Sequence, residues 1–180
     1  VNLSSRKLRG AELKEANLTG AVLRGVDLRW ANLARANLSG ATLVGADLNS
    51  ADLSYAKLNG VLLDGANLSS ANLYLVDFFQ AGTKGVLLAN ANLRGAQLTR
   101  VHLDGVNLTG SDLTGANLSY CSLRGANLSD ANLSDANFRG ANLKFADLSS
   151  ANLRGADFRG AYLTDAILDG AIIEGARFPW

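Results

Sequence analysis

Two residue types that catalyse reactions in many proteins, histidine and cysteine, occur once each in this chain. His102 is the only histidine and Cys121 the only cysteine among the 180 residues. Asp104 follows the histidine by two positions, but no nucleophile accompanies this pair at a recognisable spacing. No cluster of cysteines or carboxylates joins His102 at the spacing of metal ligands. The sequence therefore predicts a surface histidine, and it predicts no catalytic triad, metal site or other cofactor.

Seven aspartates could be mistaken for paired catalytic carboxylates. They alternate with asparagine in one repeating position, which indicates a structural role, and they are Asp27, Asp47, Asp52, Asp77, Asp112, Asp147 and Asp157. Cys121 stands where alanine usually does, so we expect it to be buried and to form no disulfide within the chain. These residues together predict a protein that is not an enzyme.

A strict period of five residues organises the whole chain. Every fifth residue from Leu3 to Phe178 is large and apolar, except Thr83, and the residue two positions earlier is alanine in 26 of 36 repeats. Five residues advance an α-helix by about 500°, so successive leucines would spread around the cylinder. In a straight strand an odd spacing would place them on alternate faces. The period instead predicts a coil that turns a corner in every repeat and directs each fifth side chain to its axis.

The residues around the leucine suit such corners. Asparagine or aspartate precedes it in 21 of 36 repeats, and glycine follows two positions later in 18 repeats. Segments such as Ala36–Gly40 (Ala-Asn-Leu-Ser-Gly) and Ala146–Ser150 (Ala-Asp-Leu-Ser-Ser) resemble the bacterial pentapeptide repeat family over the full length of the chain. The resemblance implies an all-β fold, a right-handed quadrilateral parallel β-helix. It would have about nine 20-residue coils, each made of four pentapeptides.

Residues 20 positions apart support a coil of this length. Glycine recurs at this spacing in Gly25, Gly45, Gly65, Gly85, Gly105 and Gly125. Charges of alternating sign also recur, in Asp64, Lys84, Asp104 and Arg124. We expect these charged side chains to pair across neighbouring coils. The same spacing predicts ion pairs between Glu15 and Arg35 and between Arg154 and Glu174.

The uninterrupted register predicts one β-helix domain over residues 1–180, with an irregular segment at about 74–89. Three interpretations of this segment are open: a bulge that turns Phe79 inward where Thr83 leaves space, an in-phase join of two halves, or a binding patch. The candidate partner surface comprises Tyr55, Leu62, Tyr74, Leu75, Phe79 and Leu87.

The last coil also departs from the pattern, since isoleucine replaces asparagine or aspartate at two outward positions. An open β-helix end needs a cover, because unpaired strand edges invite association. We expect a C-terminal cap or a homodimer contact here, formed by Ile167, Ile172, Ile173, Phe178 and Trp180.

Charge and composition limit the classes of function that the sequence supports. The formal net charge is +1, and the basic residues near the start of the chain would face different sides without an aromatic-lined groove, so we expect no direct nucleic-acid binding. No apolar run could span a membrane and no signal peptide is visible, which favours a cytoplasmic location, although a removed leader is compatible with the sequence. The prediction is a non-catalytic rod that presents a rigid surface to an unidentified protein partner. The alternative, which the family resemblance suggests, is a DNA mimic of the quinolone-resistance type that binds DNA gyrase, but the net charge disfavours it.

Overall fold

Parallel bridges between residues 20 positions apart define the architecture. The computed structural model describes residues 1–78 and 80–179. Each strand is a single bridge residue, at every fifth position from Asn2 to Arg177, and the bridges run from Asn2↔Val22 to Asp157↔Arg177. No helix occurs in these residues, and hence none that could cross a membrane. The fold is the predicted all-β parallel β-helix, with four ladders along its length.

The four ladders give the rod four sides. We name them A to D by their first bridge residue, which is Asn2 for side A, Lys7 for side B, Glu12 for side C and Asn17 for side D. Successive coils are about 4.8 Å apart along the axis. A corner separates each side from the next, and side D leads back to side A.

Each corner is a β-turn closed by a backbone hydrogen bond. At one of them the Ala36 N–H donates to the Leu33 carbonyl over 2.9 Å, and Arg35 between them has a φ of 59°. Positive φ at the third residue is what a type II turn requires. The position of Arg35 recurs every five residues, and all of its equivalents from Ser5 to Gly175 have positive φ, whether or not they are glycine. The corner geometry therefore comes from the coil as a whole as well as from glycine.

The core is a column of leucine layers filled in by alanine. The inward leucines from Leu23 onward are fully or almost fully buried through most of the rod. Phenylalanine replaces leucine on side D, where the ring of Phe158 stacks on Phe138 at 4.8 Å and on Phe178 at 5.2 Å between centroids. The period of five thus builds one continuous apolar core.

Cys121 lies in this core, as predicted, and burial raises the pKa of its thiol to about 12. Because the thiolate is the reactive form, we expect the native protein to react with a disulfide reagent only very slowly near pH 8. A thiol-release assay in buffer and in denaturant measures this. Full reaction of the native chain within the time that the denatured chain needs would contradict the buried position.

The outward asparagines hold the turns and also connect the coils. The Oδ1 of Asn117 accepts the Ser119 N–H at 3.2 Å and the side-chain amide of Asn137, one coil further on, at 3.2 Å. The Nδ2 of Asn117 donates to Gln97 on the preceding coil at 3.2 Å. The amide of Asn117 therefore contributes both to a turn and to a ladder of side-chain hydrogen bonds.

Asn117→Lys should lower the free energy of unfolding by about 1 to 3 kcal/mol, because these hydrogen bonds are lost together. Urea unfolding followed by circular dichroism measures the change. Asn117→Asp is the matched control, since its carboxylate still accepts the Ser119 N–H, and we expect it to cost less than half as much. Equal stability of the lysine variant and the parent would show that the turn does not depend on this acceptor.

Candidate interaction surfaces

Side A opens near the middle of the rod. Within the described residues its ladder has no bridge between Gly82 and His102, although Leu62↔Gly82 and His102↔Ser122 are both present. The opening is a cleft of about 300 Å³, which we call the central cleft, lined by Asp64, Ala81, Gly82, Thr83, Lys84, Gly85, His102 and Asp104.

Thr83 explains the opening. It is the one inward position without a large apolar side chain, and its Oγ1 donates to the His102 carbonyl at 2.5 Å. At other inward positions the backbone N–H donates to a carbonyl of the next coil, as the Leu63 N–H does to the Gly82 carbonyl at 2.7 Å. The threonine hydroxyl thus donates to a carbonyl that would normally accept from a backbone N–H. A side-chain hydrogen bond therefore joins the two coils at this point.

The column of alternating charge borders this cleft, but the predicted pairing across coils is wrong. Among the described residues no ion pair joins any two of Asp64, Lys84, Asp104 and Arg124. The Oδ1 of Asp64 instead accepts the backbone N–H of Lys84 at 2.8 Å, and that of Asp104 accepts the N–H of Arg124 at 2.9 Å. A fixed backbone donor satisfies the carboxylate without the entropy cost of ordering a long cationic side chain.

The other two predicted pairs differ in outcome. The pair between Arg154 and Glu174 is confirmed, with 3.2 Å between Nε and Oε2. The pair between Glu15 and Arg35 is absent from the described ion pairs, because the Arg35 guanidinium lies 5.4 Å from the ring centroid of Tyr55. An exposed aromatic ring on the next coil has replaced the carboxylate as its neighbour.

Tyr55 belongs to an aromatic and apolar ridge on the corner between sides C and D. The rings of Tyr55 and Tyr74 meet edge to face at 5.4 Å. Leu75 lies one coil beyond Tyr55 and covers Gly95, where an added Cβ would come within 2.8 Å of the leucine Cδ2. Tyr55 is 47% exposed and Leu75 44% exposed. We call these three residues with Arg35 the Tyr55 ridge.

The structure places the other candidate surface residues elsewhere. Leu62 lies on side A, between Thr42 and Gly82, and its side chain lies beside Gly82, one of the residues that line the central cleft. Leu87 lies on side B, between Asn67 and Asn107. Phe79 lies outside the described residues. Of the six candidates, Tyr55, Leu62, Leu75 and Leu87 are exposed and Tyr74 is half-buried, and the described ones are divided between side A, side B and the corner between sides C and D.

The C-terminal coil leaves apolar side chains uncovered. Ile167 and Ile172 are exposed on sides B and C, and Ile173 is 53% exposed although it occupies an inward position. Phe178 packs on the core through its stack with Phe158. Trp180 lies outside the described residues. Phe178 thus packs on the core on side D, whereas Ile173 at the neighbouring inward position on side C is exposed.

Sequence reasoning missed a cleft on the corner between sides D and A, which we call the Tyr120 cleft. It measures about 370 Å³ and is lined by Tyr120, Arg139, Gly140, Arg159, Gly160 and Tyr162. The only signal in the sequence is the spacing of 20 residues, which stacks Tyr120 with Gly140 and Gly160 and Arg139 with Arg159.

Asp157 holds the two arginines of this cleft. Arg159 binds both of its carboxylate oxygens, with Nε at 2.9 Å and Nη2 at 2.6 Å, and Arg139 approaches to 3.6 Å. The hydrogen bond from Arg159, opposed by burial, holds the pKa of Asp157 well below its usual value of 3.8. The carboxylate therefore stays ionised in mild acid and fixes the positions of both guanidinium groups.

A depressed pKa in the folded state makes stability depend on pH. The contribution of Asp157 to the free energy of unfolding is complete above the pKa of the unfolded state, near 3.8. It is lost as the pH falls toward the lower pKa of the folded state. We therefore expect the urea midpoint to drop between about pH 4 and pH 2. Asp157→Asn should show a smaller drop over the same range. An identical drop in both proteins would assign the acid sensitivity to other carboxylates.

The fold and these surfaces define a class of protein. The chain is a quadrilateral β-helix solenoid with shallow clefts, and no group of metal-ligating side chains occurs in the described part of it. The sequence model of the pentapeptide repeats matches in eight copies that together cover residues 1–81 and 84–178. The chain belongs to the pentapeptide repeat family, whose solved members HetL and QnrB1 form right-handed quadrilateral β-helices.

Solved structures agree with this assignment. The chain is similar to HetL, a pentapeptide repeat protein involved in heterocyst differentiation regulation from the cyanobacterium Nostoc sp. strain PCC 7120, with 35% identity over 99% of this chain and 87% of HetL and a TM-score of 0.59. It is also similar in fold to QnrB1, a plasmid-mediated fluoroquinolone resistance protein, with 19% identity over 94% of this chain and 87% of QnrB1 and a TM-score of 0.63. No curated protein matches the sequence.

Proposed function

We propose that this chain is a non-catalytic binding rod that presents the Tyr55 ridge to a protein partner. The observation that carries the proposal is the exposure of Tyr55 and Leu75 on one corner, with the half-buried Tyr74 packed edge to face against Tyr55. Tyrosine and arginine are enriched in the cores of protein interfaces, and both occur in the ridge. The family assignment supports an interaction role because a solenoid displays its side chains on long, flat sides.

The ridge is also rigid before any partner binds. Tyr55 and Leu75 both lie at corners with positive φ, at 59° and 54°. Their backbone N–H groups are fixed by bonds to the next coil, from Tyr55 to Tyr74 at 2.9 Å and from Leu75 to Arg94 at 3.1 Å. A preorganised surface loses less conformational entropy on binding than a flexible one.

The alternative partner is DNA gyrase, which a DNA-mimicking rod would bind. Such a rod needs a continuous acidic side. On side B the ladder carries Asp27 and Asp47, but the next four residues are uncharged before Asp147 is reached, namely Asn67, Leu87, Asn107 and Asn127. This interrupted pattern favours the general protein-binding rod.

A comparison of matched variants tests the proposal. The parent chain and the double variant Tyr55→Ser, Leu75→Asp are used as affinity baits in a lysate of the native cells, after melting curves have shown that both are folded. Leu62→Asp and Leu87→Asp are the controls, because they place the same charge on sides A and B. Purified gyrase is added to all four baits in a separate arm.

We expect a protein that the parent and both controls retain and that the ridge variant loses. Loss on the Leu62 variant instead would move the contact to the central cleft. Retention by all variants, or recovery of no protein by the parent, would contradict the proposal. Saturable binding of gyrase that the ridge variant does not reduce would favour the DNA-mimic alternative.

We also propose that the last coil forms a homodimer contact. Ile167, Ile172 and Ile173 give this end an exposed apolar rim, and the core end beneath it is only partly covered by Phe178. Two such ends would cover each other's unpaired strand edges. Sedimentation equilibrium should show a dimer for the parent and a monomer for Ile172→Glu, Ile173→Glu. A monomeric parent would overturn this proposal and leave the ridge proposal unaffected.

A further inference from the structure

The Tyr120 cleft has a floor without side chains and walls that are aromatic and cationic. Gly140 and Gly160 form the floor. The Tyr120 ring lies against Gly140, where an added Cβ would come within 2.6 Å of the ring. Tyr120 and Tyr162 are both mostly exposed. The cleft therefore places two exposed tyrosines beside two positions that carry no side chain of their own.

Its cations are positioned and still accessible. Asp157 binds Arg139 and Arg159, yet about half of each arginine side chain remains exposed. The Arg100 guanidinium lies 5.9 Å from the Tyr120 ring centroid and the Lys144 ammonium lies 5.7 Å from that of Tyr162. Two arginines thus share one carboxylate, and a further cation lies near each tyrosine ring, so this part of the surface has an excess of positive charge.

We infer that the Tyr120 cleft binds an acidic segment of a protein, whose carboxylate pairs with Arg139 and Arg159 while a neighbouring apolar or aromatic side chain lies against Tyr120 or Tyr162. Paired guanidinium groups suit a carboxylate because several of their N–H groups can donate to it at once. The inference goes beyond the proposed function, since it assigns a second surface on another corner and states the chemistry of its ligand.

The same charges favour a protein segment over a nucleic acid. Binding to a nucleic acid draws its affinity from many phosphate contacts along a basic track. Here two arginines share Asp157, and Asp104 and Asp165 both lie on the neighbouring corner between sides A and B. A cleft of about 370 Å³ has the size for one or two side chains, as expected for a local anchor in an interface.

A displayed library of random peptides tests the inference on the full chain in about 0.15 M salt. Selected peptides are synthesised, and their affinities are measured for the parent, for the double variant Arg139→Gln, Arg159→Gln and for the single variant Tyr120→Ala. Arg94→Gln is the matched control, because Arg94 is also half exposed and pairs with Asp112 at 3.3 Å. Tyr120→Ala leaves the ion pairs of Asp157 intact, so it reports on the cleft even if the arginine variant is unstable. A labelled oligothymidylate is measured in parallel.

We expect the selected peptides to be rich in glutamate or aspartate next to an aromatic residue. Their affinity for the double arginine variant should be at least about tenfold lower than for the parent, and their affinity for Tyr120→Ala should also fall. Their affinity for Arg94→Gln should equal that for the parent. The inference is overturned if no peptides are selected, if they are no more acidic than the library, or if they bind all variants equally. Binding of the oligothymidylate that depends on Arg139 and Arg159, with no such peptides, would assign the cleft to nucleic acid. Because Tyr55→Ser, Leu75→Asp should bind the peptides normally, failure here is distinct from failure of the ridge proposal.

Discussion

Phe158→Ala is expected to lower the free energy of unfolding by about 3 to 5 kcal/mol, a large share of what a domain of this size possesses. The Phe158 ring is fully buried and lies between Phe138 and Phe178 in two parallel stacks. Its removal would leave a cavity that two rigid coils cannot close, and both stacks would be lost at once. Urea unfolding followed by circular dichroism measures the change.

Phe158→Leu is the control for this prediction. Leucine fills the equivalent inward position in most coils, for example at Leu98 and Leu118, so it fits the backbone. We expect it to cost about 1 to 1.5 kcal/mol, because most of the buried volume is retained. If the alanine variant were no less stable than the leucine variant, the stacked column would not contribute to stability.

Leu113→Ala should cost about 2 to 5 kcal/mol, as a cavity in the middle of the leucine column. Leu113 is fully buried, and it is hydrogen-bonded through its N–H to Asn132 at 2.7 Å. The same substitution at Leu87, which is exposed on side B, should change stability by no more than about 0.5 kcal/mol. Equal effects at the two positions would contradict the inward orientation of every fifth residue.

The core and the coil could be predicted from the sequence because they depend on a period. The spacing of Leu113 from Leu93 and Leu133 requires all three to point to the axis. The glycine column identified the corners for the same reason. Corners at Trp30 and Phe145 carry no such signal, yet they have φ of 57° and 62°. Their conformation is imposed by hydrogen bonds to neighbouring coils, which local propensity does not reveal.

The candidate surfaces were less predictable because they depend on which side a residue faces and on what its side chain contacts. Tyr55, Leu62 and Leu87 are close in sequence, but they face different sides of the rod. Asp64 and Lys84 are 20 residues apart, as ion-paired neighbours would be, yet a backbone N–H is the nearer donor. The Tyr120 cleft depends on a ring that covers a glycine of the next coil, a contact that composition and charge do not reveal.

The open ladder at the central cleft has a consequence for how the rod unfolds. In a solenoid each coil is coupled only to its neighbours, so cooperativity is transmitted from one interface to the next. Within the described residues the interface between Gly82 and His102 lacks its bridge, so we expect coupling between coils to be weakest there. We expect the stretches on either side to behave as separate units of local unfolding. The Tyr55 ridge lies in one unit and the Tyr120 cleft in the other, so a partner that contacts both would be held at a spacing that this one junction controls.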